Sequence, residues 1–241
     1  MVVLEACLNG DRMRGDHPDL PISADELARD AKAVVAAGAE ALHVHPRDAS
    51  GRQTLGPHQC AATVAAIRTA VPGIPLGFTT IAKIERDPPR RVALVRKWTE
   101  KPDFVSVNWS EEGAAALATA CVERDIGIEA GIWTVDDARR FVQHGFAPHC
   151  LRALVEPLEQ QTAGALETAA AIVAILAAEL PLVVHGYERT TWPVLRWAVA
   201  HGHGIRIGLE DTLALEGGRV ARDNTELVAA AREIVNRSGG S

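Results

Sequence analysis

Apolar, strand-like runs alternate with helix-like stretches eight times along the chain, and this alternation narrows the fold more than any other property of the sequence. Strands are expected at 2–8, 41–45, 74–80, 104–108, 126–130, 150–155, 182–184 and 205–209. Helices are expected at about 24–37, 58–70, 90–98, 113–124, 135–144, 162–179, 191–201 and 225–235, with 236–241 a loose tail. Strand–helix units joined by short connections build parallel sheets. Eight such units in 241 residues suit a closed (β/α)8 TIM barrel, read here as a single domain over 1–241. The rival is an open doubly wound sheet, but no Gly-rich fingerprint follows the first strand. Local signals agree with the helices. Ser23 with Glu26 three residues later is a capping box, Gly38 and Gly145 close helices, and Pro88-Pro89 opens one.

Composition removes several function classes. Apolar residues make up 47% and aromatics only 4%, so Ala, Val, Leu and Ile fill a core of tightly packed helices on strands. A net charge of −6 without a basic block argues against nucleic acid as a partner. No apolar run approaches a membrane-spanning length. The first residues enter a strand without a basic leader or cleavage site, which predicts a cytoplasmic protein. Cys7, Cys60, Cys121 and Cys150 are scattered with no C-x-x-C, as reduced, mostly buried thiols would be.

A barrel places its catalytic side chains at the C-terminal ends of its strands. Those ends carry Asn9, His43 with His45, Thr79 with Thr80, Ser106 with Asn108, Glu129, Glu156, His185, and Glu210 with Asp211. His43 and His45 are two apart on a strand, so they point the same way. They are either two ordinary packed histidines or half of a metal site. Strands two and eight flank strand one in a closed barrel, which brings Glu210 within reach as a third ligand. Two imidazoles and a carboxylate suit Zn²⁺ with an open position; Fe²⁺ and Mn²⁺ accept the same donors. Asp211 follows Glu210 and cannot easily face the same ion, but a carboxylate beside a metal-bound substrate is placed to act as general base. An inward Arg206 would pair with Asp211. Arg12 or Arg14 could clamp a substrate carboxylate. Thr79 and Thr80 are either substrate donors or satisfied strand ends, and His185 is either a further imidazole ligand or a substrate donor.

These residues resemble the β-keto acid cleavage enzyme family, which includes 3-keto-5-aminohexanoate cleavage enzyme. The likeness runs through Leu8-Asn9-Gly10, His17-Pro18-Asp19-Leu20-Pro21-Ile22, His43-Val44-His45-Pro46-Arg47-Asp48 with Gly51-Arg52, Thr79-Thr80, Gly204-Ile205-Arg206-Ile207-Gly208-Leu209-Glu210-Asp211 and Asn224-Thr225-Glu226-Leu227-Val228. It implies a zinc-bearing barrel in which a β-keto acid and acetyl-CoA give acetoacetate and a new acyl-CoA. On this likeness His43, His45 and Glu210 hold Zn²⁺, Asp211 tuned by Arg206 is the base, and Thr79, Ser106 and Asn108 lie near the substrate. With Thr80, Arg12 and Glu129 these three make up the expected substrate-binding set. The likeness also implies a homo-oligomer, dimer or tetramer, as does the nearly all-apolar helix at 162–179.

The chain departs from the family pattern in four places. The usual Glu-x-Glu of strand five is Glu129-Ala130-Gly131 here. The loops after strands three and six are shorter, Glu156-Pro157-Leu158 replaces a Gly-rich stretch, and the usual C-terminal extension is missing. Glu156 is the candidate to supply the lost carboxylate. Two other classes compete: a metal-dependent hydrolase or aldolase on the same barrel, and a non-catalytic metal- or ligand-binding barrel.

Overall fold

The computed structural model describes residues 2–238. Among them the strands are β1 (Leu4–Cys7), β2 (Ala41–Val44), β3 (Leu76–Thr79), β4 (Phe104–Asn108), β5 (Gly127–Ile132), β6 (Arg152–Val155), β7 (Leu182–Val184) and β8 (Gly204–Ile207). Each pairs in parallel with the next, and β8 returns to β1, so the sheet closes into the expected (β/α)8 barrel. The helices are α1 (Ala24–Ala36), α2 (Pro57–Ala70), α3 (Pro88–Arg96), α4 (Ala114–Val122), α5 (Val135–His144), α6 (Thr162–Leu176), α7 (Thr191–Ala200) and α8 (Asn224–Ser238).

Strand alternation divides the side chains into two layers. Leu4, Ala6, Leu42, Val44, Leu76, Phe78, Val105, Val107, Ile128, Ala130 and Ile132 join the buried cluster between sheet and helices. The alternate residues Glu5, Cys7, His43, Phe104, Ser106, Asn108, Glu129 and Arg152 line the barrel interior, where charged and polar groups meet. Register sets who meets whom: Glu5 lies beside Arg206, Cys7 beside His43, and Glu129 beside Arg152. Gly77 makes room for this layer, since a Cβ there would overlap the Phe104 ring.

The Ser23 capping box forms as expected. Ser23 Oγ accepts from Glu26 N–H at 3.2 Å and Glu26 Oε2 accepts from Ser23 N–H at 2.8 Å. A cap of this kind contributes about 1 kcal/mol. A second box, Thr134 with Asp137 before α5, follows the same logic with Asp in place of Glu. Gly38 and Gly145 take positive φ values of 110° and 67°, as helix-ending glycines do.

Several boundaries differ from expectation. β1 and β3 are shorter than 2–8 and 74–80, and β5 runs on to Ile132, which puts Glu129 mid-strand. β8 stops at Ile207, and residues 208–212 form a turn that turns Glu210 and Asp211 inward. The expected loose tail at 236–241 is helical as far as Ser238, because Ile234 still packs on the core; 239–241 lie outside the described residues.

Candidate active site

The mouth of the barrel is assembled mainly from the ends of β1, β2 and β8. Asn9 fixes the end of β2 with two hydrogen bonds, donating from Nδ2 to His45 O at 3.0 Å and accepting His45 N–H at 2.9 Å. Arg47 donates to the carbonyls of Gly10 and Arg12 and so ties the loop after β1 to the loop after β2. Asp48 shapes its own loop by accepting from Ser50 and Arg52. The Arg and Asp of the His-Pro-Arg-Asp run are therefore loop builders. Gly10, at φ 55°, lets β1 pass the eighth loop, because a Cβ there would collide with Glu210 Cγ.

Three donor groups converge on one point. His43 Nε2 and His45 Nε2 lie 3.3 Å apart, and His45 Nε2 is 3.3 Å from Glu210 Oε1. His45 Nδ1 lies 2.6 Å from Gln53 Oε1, an acceptor, so Nδ1 carries a proton and Nε2 is the atom turned toward Glu210. Glu210 Oε2 is buried without a hydrogen-bond partner. Buried lone pairs facing one another are costly unless a cation joins them. His43, His45 and Glu210 thus form a group able to hold a metal ion, and the donors fit. Burial drives the His43 pKa down to about 3, so the ring is the neutral species that metals bind. For Glu210, burial works against ionisation, but Arg206 and the two imidazoles outweigh it and hold the carboxyl well below its usual range.

Asp211 sits beside this group and faces another way. Its Oδ1 accepts from Arg206 at 2.6 Å, and Oδ2 accepts from the Cys7 thiol at 2.6 Å. Arg206 also reaches Glu210 at 3.0 Å, so the inward orientation anticipated for this arginine holds. Burial raises Asp211 to about 6 against the opposing pull of Arg206. The Cys7 thiol is itself pushed well up by burial and the Asp211 charge, and it serves as a neutral donor. His185 Nδ1 is 3.5 Å from Asp211 Oδ1, and its Nε2 is 3.8 Å from Glu156 Oε2. That places His185 between two carboxyls and outside the metal-binding group. Trp133 Nε1 donates to Glu156 Oε2 at 3.1 Å, while burial lifts Glu156 to about 7.

The expected substrate-binding residues divide. Thr79, Ser106 and Asn108 are buried at the ends of β3 and β4, and Asn108 donates to Glu111 at 3.1 Å. Thr80 donates to Ser106 O at 2.5 Å and is spent on the sheet. Arg12 donates to Leu209 O and, at 2.6 Å, to Glu188, so it clips the eighth loop. Arg14 turns outward to Glu26 on α1. Glu129 lies below the mouth, bonded to Arg152 Nε at 2.6 Å. Gly131, where the second strand-five glutamate is missing, faces Asn108, whose amide oxygen fills the space a Cβ would need.

Four participants escape a reading of strand ends: Cys7, Gln53, Glu5 and Arg152. Gln53 sits in a loop eight residues after the histidine it orients. Glu5 and Arg152 carry the one available signal, a charge inside a short, otherwise apolar strand.

The fold and the site together define a (β/α)8 barrel whose mouth joins a His-His-Glu group able to hold a metal ion to a buried Asp–Arg pair. The family model for beta-keto acid cleavage enzyme matches residues 1–241, and the chain belongs to that family. It is therefore an enzyme that breaks a carbon–carbon bond of a β-keto acid with acyl transfer. A 3-keto-5-aminohexanoate cleavage enzyme of Fusobacterium nucleatum is 22% identical over 257 residues, covering 99% of this chain and 92% of that protein. The enzyme of the same name from Acetoanaerobium sticklandii is 21% identical over 259 residues, covering 99% and 93%. Among solved structures, ObcA in a ternary complex with a C4-CoA adduct and oxalate shares the barrel, with a TM-score of 0.74 at 18% identity. That match covers 92% of this chain and 65% of ObcA, so the chain spans just under two thirds of that protein's length.

Proposed function

We propose that the enzyme exchanges acyl groups between a β-keto acid and acetyl-CoA, yielding acetoacetate and a new acyl-CoA, with Zn²⁺ held by His43, His45 and Glu210. The observation that carries this reading is the convergence of the His43, His45 and Glu210 ligand atoms beside the Asp211–Arg206 pair. When bound, Zn²⁺ supplies Lewis-acid stabilisation of the negative oxygen that both addition and cleavage create. Asp211 removes the proton from the carbon between keto and carboxylate groups. The resulting carbanion attacks the acetyl thioester and expels CoA thiolate. The thiolate then adds to the original keto carbon, the carbon–carbon bond breaks, and Asp211 returns its proton to the departing acetoacetate. Arg206 keeps the Asp211 carboxyl aimed and limits the rise that burial causes.

Thr79, Ser106 and Asn108 border the same space and supply substrate hydrogen bonds, and Arg12 shapes the rim. Glu156, across the mouth on the far side of His185, takes the place of the strand-five carboxylate. Four free cysteines agree with a cytoplasmic enzyme. Leu151 and Leu158, 51% and 48% exposed on either side of β6, are apolar surface that a homo-oligomer would cover.

The test is acetoacetate release by the zinc-loaded protein from acetyl-CoA and a panel of small β-keto acids. Release that needs both substrates and vanishes in Asp211→Asn supports the reading. Turnover of a β-keto acid without acetyl-CoA would replace it with a hydrolase or aldolase. Glu156→Gln that leaves activity and pH profile unchanged would remove Glu156 from the mechanism.

A further inference from the structure

Beneath the mouth lies a second cluster that the reaction itself does not use. Arg152 donates to Glu129 Oε1 at 2.6 Å and to Glu5 Oε2 at 2.5 Å, and its guanidinium lies over the Phe104 ring, 4.8 Å from the centroid. Glu5 and Glu129 are fully buried. Three atoms of this cluster have no hydrogen-bond partner: Glu5 Oε1, Glu129 Oε2 and His43 Nδ1. They belong to one compact group. Such a group resembles a second metal site, but Arg152 already supplies its cation, bonded to both carboxyls. Arg152 is spent on the other two carboxyl oxygens, which leaves Glu5 Oε1 and Glu129 Oε2 without a donor. His43 Nδ1 remains, 4.0 Å from Glu5 Oε1.

We infer that Glu5, anchored by Arg152 and Glu129, is a positioning residue: it accepts the Nδ1 proton of His43 and so presents a bare Nε2 to the cation. This rests on the reading of His43 as a metal ligand. The 4.0 Å separation exceeds a formed hydrogen bond by about 1 Å, and Glu5 Oε1 is the acceptor that faces this nitrogen. The arrangement matches that of His45, whose Nδ1 is held by Gln53. A carboxylate behind a ligating imidazole fixes its tautomer and raises its basicity, and its loss typically weakens metal binding about 10–100-fold. The competing arrangement is also explicit. With the proton on Nε2, His43 would donate to the bare Nε2 of His45, 3.3 Å away, and the donor set would be self-satisfied without metal.

Two measurements decide between them. In the metal-free wild type, long-range ¹H–¹⁵N spectra of ¹⁵N-histidine protein, assigned with His43→Gln, are expected to show His43 as the Nδ1–H tautomer. The Nε2–H tautomer would overturn the inference. Chelator competition then compares Zn²⁺ affinity. Glu5→Leu is expected to weaken binding about 10–100-fold and to move His43 toward the Nε2–H form, while Glu5→Gln, which keeps an acceptor, is expected to retain most of the affinity. Either substitution leaves Arg152 paired one-to-one with Glu129. Glu5→Leu with wild-type affinity and an unchanged tautomer would overturn the role of Glu5 and leave the metal site standing. A wild type that takes up no Zn²⁺ would overturn the metal reading and the inference with it.

Discussion

The barrel holds two polar assemblies stacked along its axis, and they solve opposite problems. In the lower one, the Arg152 guanidinium is bonded to both Glu5 and Glu129 inside the sheet, so the two carboxyls share a cation built into the chain. In the upper one, His43, His45 and Glu210 bring acceptors together with nothing of their own between them. The lower assembly carries its own cation, and the upper one gathers its ligand atoms without one between them. The contrast teaches that charge within a barrel is not itself a mark of chemistry. What marks the mouth is a set of convergent ligand atoms without a cation at its centre, beside Asp211, whose proton affinity burial has raised.

The largest effect expected from disturbing this contrast is on stability. Arg152→Leu strips the counter-ion from two buried carboxyls and is expected to destabilise the fold by about 3–5 kcal/mol; urea denaturation of the metal-free protein measures it. A loss below about 1 kcal/mol would mean that the lower assembly is not the closed ion cluster described here.

Asp211→Asn tests the opposite pole. Arg206 keeps Glu210 as a partner, so the fold is expected to persist while acyl exchange falls about 10²–10⁴-fold. Steady-state rates alongside a thermal melt separate the two outcomes. A variant that unfolds without a selective loss of rate would put Asp211 on the structural side of the comparison.

A smaller change is expected at Gln53. Gln53→Ala frees the Nδ1 of His45, and Zn²⁺ binding is expected to weaken roughly tenfold or more with little change in melting temperature. Unaltered affinity would show that the backbone bonds from Asn9 orient His45 unaided.

The smallest effect concerns neither assembly and serves as their control. Asp30 on α1 accepts from Asn224 at 2.7 Å, and burial, with Asp223 and Asp19 nearby, raises it to about 7 from an ordinary 3.8. Between those values the folded protein keeps a proton that the unfolded chain has released. This group's contribution is therefore fully present below about pH 4 and is lost as the pH rises through about 7. Asp30→Asn is expected to flatten the stability–pH curve over that window in chemical denaturation, with no change in metal affinity. An unchanged slope would assign the pH dependence to the buried carboxyls of the barrel.

Much of this was legible in the linear chain because barrel architecture converts sequence order into position. Period-two and period-3.6 patterns identify strands and helices, and the end of each strand is the mouth. His43, His45, Glu210 and Asp211 follow from that rule, Arg206 from its place in an apolar strand four residues before Glu210, and the resemblance of the surrounding motifs named the family. Thr80, Arg12 and Arg14 meet the rule equally well and serve other ends. Thr80 bonds the sheet, Arg12 clips a loop, and Arg14 pairs with α1. A strand end establishes nearness to the mouth but not the direction of a hydroxyl or guanidinium. That direction depends on which acceptor is closer, and the acceptors lie 12 to 197 residues away in the chain.

The sequence by itself determined the barrel, the end at which its chemistry lies, and the donors that meet there, since each follows from spacing along one strand or from the order of strands around a closed sheet. The tertiary structure alone decided what stands behind those donors. Strand register puts Glu129 beside Arg152 and Glu5 beside Arg206, and burial then sets the protonation of each by the partners it is left with. Glu5 and Arg152, 147 residues apart, read in the chain as misplaced charges in apolar strands. Only the closed sheet, which excludes water and brings them to 2.5 Å, makes them an ion pair behind the His43 ring.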